Sequence, residues 1–381
     1  MHVLTCLTDS RVGGPQIESL SVARLLRDQG IETSFLFPPG EDTFKELLVN
    51  EDFSVYRPDF SCVHPPAKIV SNLSYVITFP NSVYQILDCI QEAEPDLVHV
   101  KMSFNVQSAV AAYLSDSRLL WHLNDVNAPW PISRVVATSA KALSDTIVVS
   151  SNTVNEHYFS DGWKGSETIY PIVDTKKYDP ARNFSKEPTL REELNISEST
   201  PIVGSVGNIN PVKGYEYLLR AIRHLVDSYG PVCVPIAGAK LDTQREYYRS
   251  LKQLQAELGL EDTVHFLGRR SDIPRLLSAF DVFVMPSVAE TGPMTLMEAM
   301  AMEKPVVTTN VGVVPEQFVH GEHGLVVPPK DAERLGESLY ELLNEPENGA
   351  EYGRNARECA KSTFSVSQIA ERHVKIYQSI V

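Results

Sequence analysis

Short apolar runs separated by helical patterns restrict this chain's fold more than any other feature. His2 to Leu7, Ile31 to Phe37, Leu97 to Val100, Leu119 to His122 and Ile147 to Ser150 have the length and composition of buried strands. Helical segments stand between them. That alternation predicts a parallel sheet covered by helices, in which ligands bind beyond the carboxyl ends of the strands. The pattern starts again near Pro201 with PIVGSVGNINPVKGYEYLLRAI, which reads as a strand, a Gly-bearing loop and an amphipathic helix from Gly214. Val232 to Gly238, Thr263 to Gly268 and Asp281 to Met285 extend it, the last read as the final inner strand, with a helix expected from Asp272 to Phe280. At 381 residues and 43% hydrophobic content the chain has material for two cores. The polar residues running to about Thr200 predict a surface connection between them.

Three loops carry residues with chemical use. In PSVAETGPMTLMEAMAMEKPVVTTNVGVVPE, from Pro286 to Glu316, a strand ends, a loop turns at Thr291-Gly292-Pro293 and a buried helix begins. The first amides of that helix, at Met294 and Thr295, would point unpaired toward the loop mouth. Free amides and the helix dipole favour an anion or a hydroxyl-rich ligand, and Glu290 in the loop and Glu298 inside the helix can accept hydrogen bonds from hydroxyls. A sugar nucleotide offers both. The same acids also fit a carboxylate that offsets the helix dipole beside a second, solvated glutamate.

The loop Thr8 to Pro15 holds Gly13 and Gly14 between the first strand and a helix from about Gln16, where a backbone can approach a phosphate; a tight turn fits equally. Lys213 precedes the helix from Gly214, so its ammonium and the helix amides would converge on one anion, unless it is a solvated helix-start lysine. His122, in LLWHLND, stands at a strand's carboxyl end, a place for a packed or surface histidine as well as a catalytic one. Asp125 could orient it or meet an acceptor, and His99 reads as structural.

The net charge of −15 disfavours broad nucleic-acid binding and weakens adhesion to anionic lipid, leaving peripheral contact as the only membrane association expected. No run approaches the length of a membrane-spanning helix, and MHVLTCLTDS lacks the basic flank and apolar core of a signal peptide, so a cytoplasmic location is expected. Cysteines at 6, 62, 89, 233 and 359 form no Cys-x-x-Cys pair, which argues for reduced, mostly buried thiols over a disulfide framework or a zinc site.

Pro286-Ser287 followed by Glu290, then Glu298-Ala-Met-Ala, Lys304-Pro-Val-Val, Gly312 and Glu316 resembles the signature of the retaining family four glycosyltransferases, the group 1 glycosyl transferases. The likeness extends over nearly the whole chain. It implies the GT-B fold, an α/β architecture of two Rossmann-like domains facing each other across a cleft. Residues 1–170 would form the acceptor-side domain with the helix 366–381 packed back on it, 171–200 a linker, and 201–365 the nucleotide-sugar domain, with TIYPIVDTKKYDP from Thr168 to Pro180 resembling the family's stretch that enters the second domain.

By resemblance, Glu290 would hydrogen-bond the donor sugar, Glu298 the ribose, Lys213 the diphosphate, Gly13-Gly14 the donor's phosphates, and His122 the sugar near the reacting carbon, so that His122, Lys213 and Glu290 are the expected catalytic residues. Two departures stand out. Asn208 occupies the family's arginine position, where it donates a weaker bond, or Arg269 or Arg270 substitutes, or donor affinity falls. Pro293 lies in a Thr291-Gly292-Pro293-Met294 run where the family has Gly-Phe-Gly-Leu, so one donor-facing N–H is missing.

The function implied is a hexosyltransferase-type enzyme that moves a sugar from a nucleotide diphosphate to an acceptor hydroxyl, on a glycan or a small molecule, with retention and without metal or other cofactor; no Asp-x-Asp pair is present. A non-catalytic sugar-nucleotide or glycan-binding protein on the same scaffold is the alternative, followed by an epimerase or phosphorylase. Donor sugar, base, acceptor, linkage and oligomeric state are not legible in the residues.

Overall fold

The computed structural model describes residues 1–60, 69–126, 128–159, 163–184 and 189–381. Cys62 and residues 185–188 of the expected connection lie outside the described residues. The chain divides into two compact units, Met1–Pro171 with Val366–Val381, and Ile172–Ser365.

The first unit is built on β1 (His2–Cys6), β2 (Glu32–Leu36), β3 (Ser54–Tyr56), β4 (Leu97–Lys101), β5 (Arg118–Leu123), β6 (Thr146–Val149) and β7 (Ser166–Thr168). They pair in the order β3-β2-β1-β4-β5-β6-β7, and each pair is parallel. Parallel pairs need crossovers, supplied here by α1 (Gly14–Asp28), α2 (Thr43–Val49), α3 (Ile69–Ala93), α4 (Val106–Tyr113), α5 (Ile132–Leu143) and α6 (Asn152–Tyr158). Pro15 sits in the first turn of α1, where a missing N–H costs nothing, and Leu20, Ala23 and Leu26 then bury one face. Alternation along β5 sends Trp121 and Leu123 into one core with Val98, Val100 and Val149, and His122 to the opposite face.

The second unit follows the same scheme with β8 (Val203–Val206), β9 (Val234–Ala237), β10 (Val264–Gly268), β11 (Val282–Met285), β12 (Val306–Thr309) and β13 (Leu325–Val327), ordered β10-β9-β8-β11-β12-β13 and all parallel. Its helices are α7 (Leu190–Leu194), α8 (Tyr215–Ser228), α9 (Arg245–Glu257), α10 (Ile273–Ala279), α11 (Met294–Ala301), α12 (Val314–Gln317), α13 (Ala332–Asn344) and α14 (Pro346–Cys359). In α8, Leu218, Leu219, Ile222 and Leu225 recur at helical spacing and lock into a core with Leu335 and Leu339 of α13. α15 (Val366–Ile380) belongs to the first unit and packs beside α1.

Two expectations need correction. Asp281–Met285 is not the final inner strand, because VVTT at 306–309 forms β12 between β11 and β13. Nor is the stretch before Thr200 only a surface connection. Ile172, Val173 and Tyr178 are buried within the second unit, and α7 starts in a capping box of Thr189 and Glu192. Glu193 of α7 then pairs with Arg270 and with Arg275 (2.9 Å), and Arg191 with Asp281 (3.4 Å).

Candidate active site

In the second unit, the loops at the carboxyl ends of β8, β9 and β11 converge. The chain leaves β8 through Gly207 to Asn210, makes a 3₁₀ turn over Pro211–Lys213 and enters α8 through Gly214. Gly214 is required there. Its φ is +64°, and a Cβ would lie 2.2 Å from the Pro286 carbonyl oxygen, so no side chain fits between the start of α8 and the strand end opposite. The Val288 amide donates to the Val212 carbonyl (2.8 Å) and ties the two loops together.

That junction sets Lys213 beside Glu290. The ammonium donates to Glu290 Oε1 at 2.5 Å, and the Ser287 hydroxyl donates to the same oxygen at 2.8 Å. Both charged side chains are largely buried, with 20% and 13% exposure, so the pair is not a freely solvated surface bridge. Ser287 was not singled out by sequence reasoning. Its signal was its place in the PS dipeptide, three residues before the acid.

α11 begins directly after Pro293, with no side-chain cap. The backbone bonds at its start run from Leu296 and Met297 to the Pro293 carbonyl, so the Met294 and Thr295 amides are the donors of this end without an intrahelical acceptor. The Thr295 hydroxyl oxygen is buried without a hydrogen-bond partner. Glu298 lies one turn further along. Burial is the main influence on its carboxyl, raising its pKa to about 7 against the lowering effects of a hydrogen bond from Tyr178 and the charge of Lys177.

Asn208 is a brace. Its side-chain oxygen accepts the Ala239 amide (3.2 Å), linking the loops after β8 and β9 where Gly238 comes so near the Gly207 carbonyl that a Cβ would sit 1.8 Å from its oxygen. Arg270, expected as a replacement cation, is consumed by Glu193 and Asp272. Arg269 is exposed, next to Gly268 at the end of β10.

In the first unit, Gly13 is the N-cap of α1, and Gln16 folds back to donate to the Asp9 carbonyl (3.0 Å), closing the loop that carries Gly13 and Gly14. His122 lies inside β5, one residue before its end, and is 1% exposed. Its ring stacks on His99 (5.6 Å, 14°) and neither ring nitrogen has a hydrogen-bond partner. Asp125 therefore does not orient it; that carboxylate accepts the Ser103 amide (3.0 Å) and hydroxyl (2.8 Å). His99 bonds the Tyr377 hydroxyl (2.8 Å), which accords with a structural role.

His99, His122 and His373 bring one ring nitrogen each within 4.8 Å of one another, a spacing from which three imidazoles could close on a cation. Only the charge of a neighbouring ammonium opposes it, since neutral imidazole is the form that ligates a metal. Lys101 is buried nearby, held by Glu18 (2.8 Å), and burial together with that ammonium keeps His99 and His122 well below the ordinary imidazole pKa and His373 at about 3. Of the described cysteines, Cys6 and Cys233 are buried, while Cys89 and Cys359 are half-buried; all four are free.

Residues 186–359 match the family model described as Glycosyl transferases group 1. The chain is 24% identical to the N-acetyl-alpha-D-glucosaminyl L-malate synthase of Bacillus anthracis over 402 residues, covering 99% of this chain and 96% of that protein. It is 29% identical to the D-inositol 3-phosphate glycosyltransferase of Corynebacterium urealyticum over 216 residues, 56% of this chain and half the length of that relative. Among solved structures, Anabaena HepE in complex with UDP superposes with a TM-score of 0.84 at 23% identity, over the full length of both chains. Residues 186–359 thus carry the match to the group 1 glycosyl transferases, the two parallel α/β units have the GT-B fold, and the proteins that this chain resembles over its length are glycosyltransferases.

Proposed function

We propose that this enzyme transfers the sugar with retention of anomeric configuration and without a metal ion, using a donor site centred on Lys213, Glu290 and α11. The observation that carries the proposal is the Lys213–Glu290 pair, held by Ser287 beside the open start of α11. Breaking the bond between the anomeric carbon and the diphosphate leaves negative charge on the departing oxygens. Lys213 and the Met294 and Thr295 amides are preorganised donors for that charge, which is the largest contribution such a site makes. Pro293 supplies no amide, so α11 offers two donors at this point.

In the structure the lysine and glutamate satisfy one another. On donor binding the ammonium turns to the diphosphate, which releases Glu290 to accept from a sugar hydroxyl. Glu298, deeper along α11, accepts from the ribose. Asn208 shapes the loop under the diphosphate and adds no charge. Gly13 and Gly14 offer backbone alone to a phosphate, whereas His122, 1% exposed and stacked on His99, has no ring face open to a sugar, which corrects its expected catalytic role. The free thiols support a reducing compartment, and we place the reaction in the cytoplasm.

The acceptor is a hydroxyl compound. L-malate and D-inositol 3-phosphate, which stand in the names of two relatives, are the first to assay. A thermal-shift screen of UDP-, GDP- and ADP-sugars identifies the donor, since a ligand bound only to the folded state raises Tm. NMR of the product's anomeric proton then reads the stereochemistry. Inversion of the donor configuration, or no stabilisation by any of these donors, would overturn the proposal.

A further inference from the structure

The turn that follows β12 has no part in the reaction scheme, yet it lies against the loop of Glu290. Thr309, the last residue of β12 and 2% exposed, donates its hydroxyl to the Ser287 carbonyl (2.5 Å), with a longer contact to the Met285 carbonyl (3.5 Å). Ser287 is itself buried, and its hydroxyl donates to Glu290 Oε1 (2.8 Å). Three residues beyond Thr309, Gly312 meets the acid directly. Its φ is +61°, and a Cβ there would lie 3.1 Å from the Glu290 Cβ and 3.0 Å from the Thr291 carbonyl oxygen. The turn is fixed in its own right. The Asn310 amide donates to the Val327 carbonyl at the end of β13, and the Val311 amide to the Thr309 carbonyl (both 2.9 Å).

We propose that Thr309 is a positioning residue for Glu290, acting through Ser287: the Thr309 hydroxyl fixes the serine's backbone, and the serine hydroxyl holds Oε1 so that Oε2 is the oxygen offered to the donor sugar. The inference rests on the assignment of Glu290 to the sugar. Lys213 cannot serve as the anchor, because in that scheme its ammonium turns to the diphosphate. Ser287 is uncharged and stays. A carboxylate has about four lone-pair positions, two on each oxygen, so Oε1 can be held by the protein while Oε2 accepts from hydroxyls of the ligand. Valine at 309 has the shape of threonine without its hydroxyl. It would leave the buried Ser287 carbonyl without that donor and let the serine, and with it the acid, shift from the geometry that meets the sugar.

The test is calorimetric titration of wild type, Thr309→Val, Thr309→Ser, Ser287→Ala, Glu290→Ala and the double variant of Thr309→Val with Glu290→Ala. The ligands are UDP-glucose, GDP-mannose, ADP-glucose and their bare diphosphates, carrying forward the pair whose sugar nucleotide binds wild type most tightly. Thr309→Val should bind that sugar nucleotide roughly three- to tenfold more weakly, the scale of one hydrogen bond, and the bare diphosphate as wild type does. Ser287→Ala should do the same, and because it leaves β12 untouched it reads the relay even if Thr309→Val melts early. Thr309→Ser keeps the hydroxyl and should restore wild-type affinity. In the Glu290→Ala background Thr309→Val should cost nothing further, because the side chain it positions is gone. Wild-type affinity for the sugar nucleotide in Thr309→Val or in Ser287→Ala would overturn the proposal. So would a matching loss of the bare diphosphate, or an equal loss from Thr309→Val with and without Glu290, since those are the marks of packing. Wild-type binding of the sugar nucleotide by Glu290→Ala would instead remove the assignment of that acid to the sugar.

Discussion

Lys213 and Glu290 meet at 2.5 Å and share Ser287, so each substitution changes two things at once. Lys213→Ala removes a cation from the diphosphate and leaves a largely buried carboxylate without its partner. We expect turnover to fall by roughly a hundredfold or more, as when one preorganised donor is lost from a charge-stabilising site. Near wild-type kcat in the purified variant would move the diphosphate elsewhere. Glu298 predicts a pH effect with a definite sign. Its carboxyl titrates at about 7, and ribose hydroxyls need the ionised form as acceptor, so nucleotide diphosphate affinity should rise between about pH 6 and about pH 8. The phosphate titrates in the same range, so the part due to Glu298 is what disappears in Glu298→Gln; an unchanged profile in that variant would contradict the assignment. At this scale the sequence showed what local spacing shows: two acids around a helix start and a lysine before another. It did not show Asn208 under Ala239 or Arg357 on the Tyr178 carbonyl, because those contacts join residues far apart in the chain whose types alone name no partner.

At the scale of elements, two devices hold the site. The first is the close approach of α8 to the end of β11. Gly214→Ala would place a methyl group against the Pro286 carbonyl and strain a left-handed backbone that costs on the order of 1 kcal/mol or more. We expect a clearly lower Tm and weaker nucleotide binding, and an unchanged Tm would show that the two elements can part freely. The second is the histidine layer between β4, β5 and α15. Because His99, His122 and His373 are neutral when folded and bind protons only well below the unfolded imidazole pKa, they contribute stability that is present above about pH 6.5 and lost as pH falls below it. Melting curves at pH 7.5 and 5.5 should show a smaller loss of Tm in His373→Leu than in wild type. An equal loss in both would contradict the linkage.

Most strands were legible because buried parallel strands read as unbroken apolar runs, and their ends fell within a residue or two of those expected, as at His2–Cys6 and Val282–Met285. β3 and β7 have three residues each, too few to carry a pattern, and α3 runs through Pro80, a residue that in sequence argues for a break. β12 passed unnoticed because Lys304-Pro-Val-Val was read as part of a signature and not as the start of a strand.

For the molecule as a whole, −15 net charge and a donor that is itself a polyanion pose a problem that local chemistry has to solve. The solution proposed is a lysine and helix amides in place of a metal, and turnover should accordingly persist in excess EDTA. Loss of activity in chelator, restored by magnesium or manganese, would refute it. The central claim is that the glutamates of one loop and one helix divide the donor between them, Glu290 taking the sugar and Glu298 the nucleotide. Calorimetric titration of Glu290→Ala and Glu298→Ala with the bare nucleotide diphosphate and with the intact sugar nucleotide measures that division directly. Glu290→Ala should bind the bare diphosphate almost as wild type does while losing most transfer, and Glu298→Ala should lose affinity for both ligands alike, by about 1.5–3 kcal/mol for bonds to a charged acceptor. Equal weakening of the bare diphosphate by both variants would contradict the account.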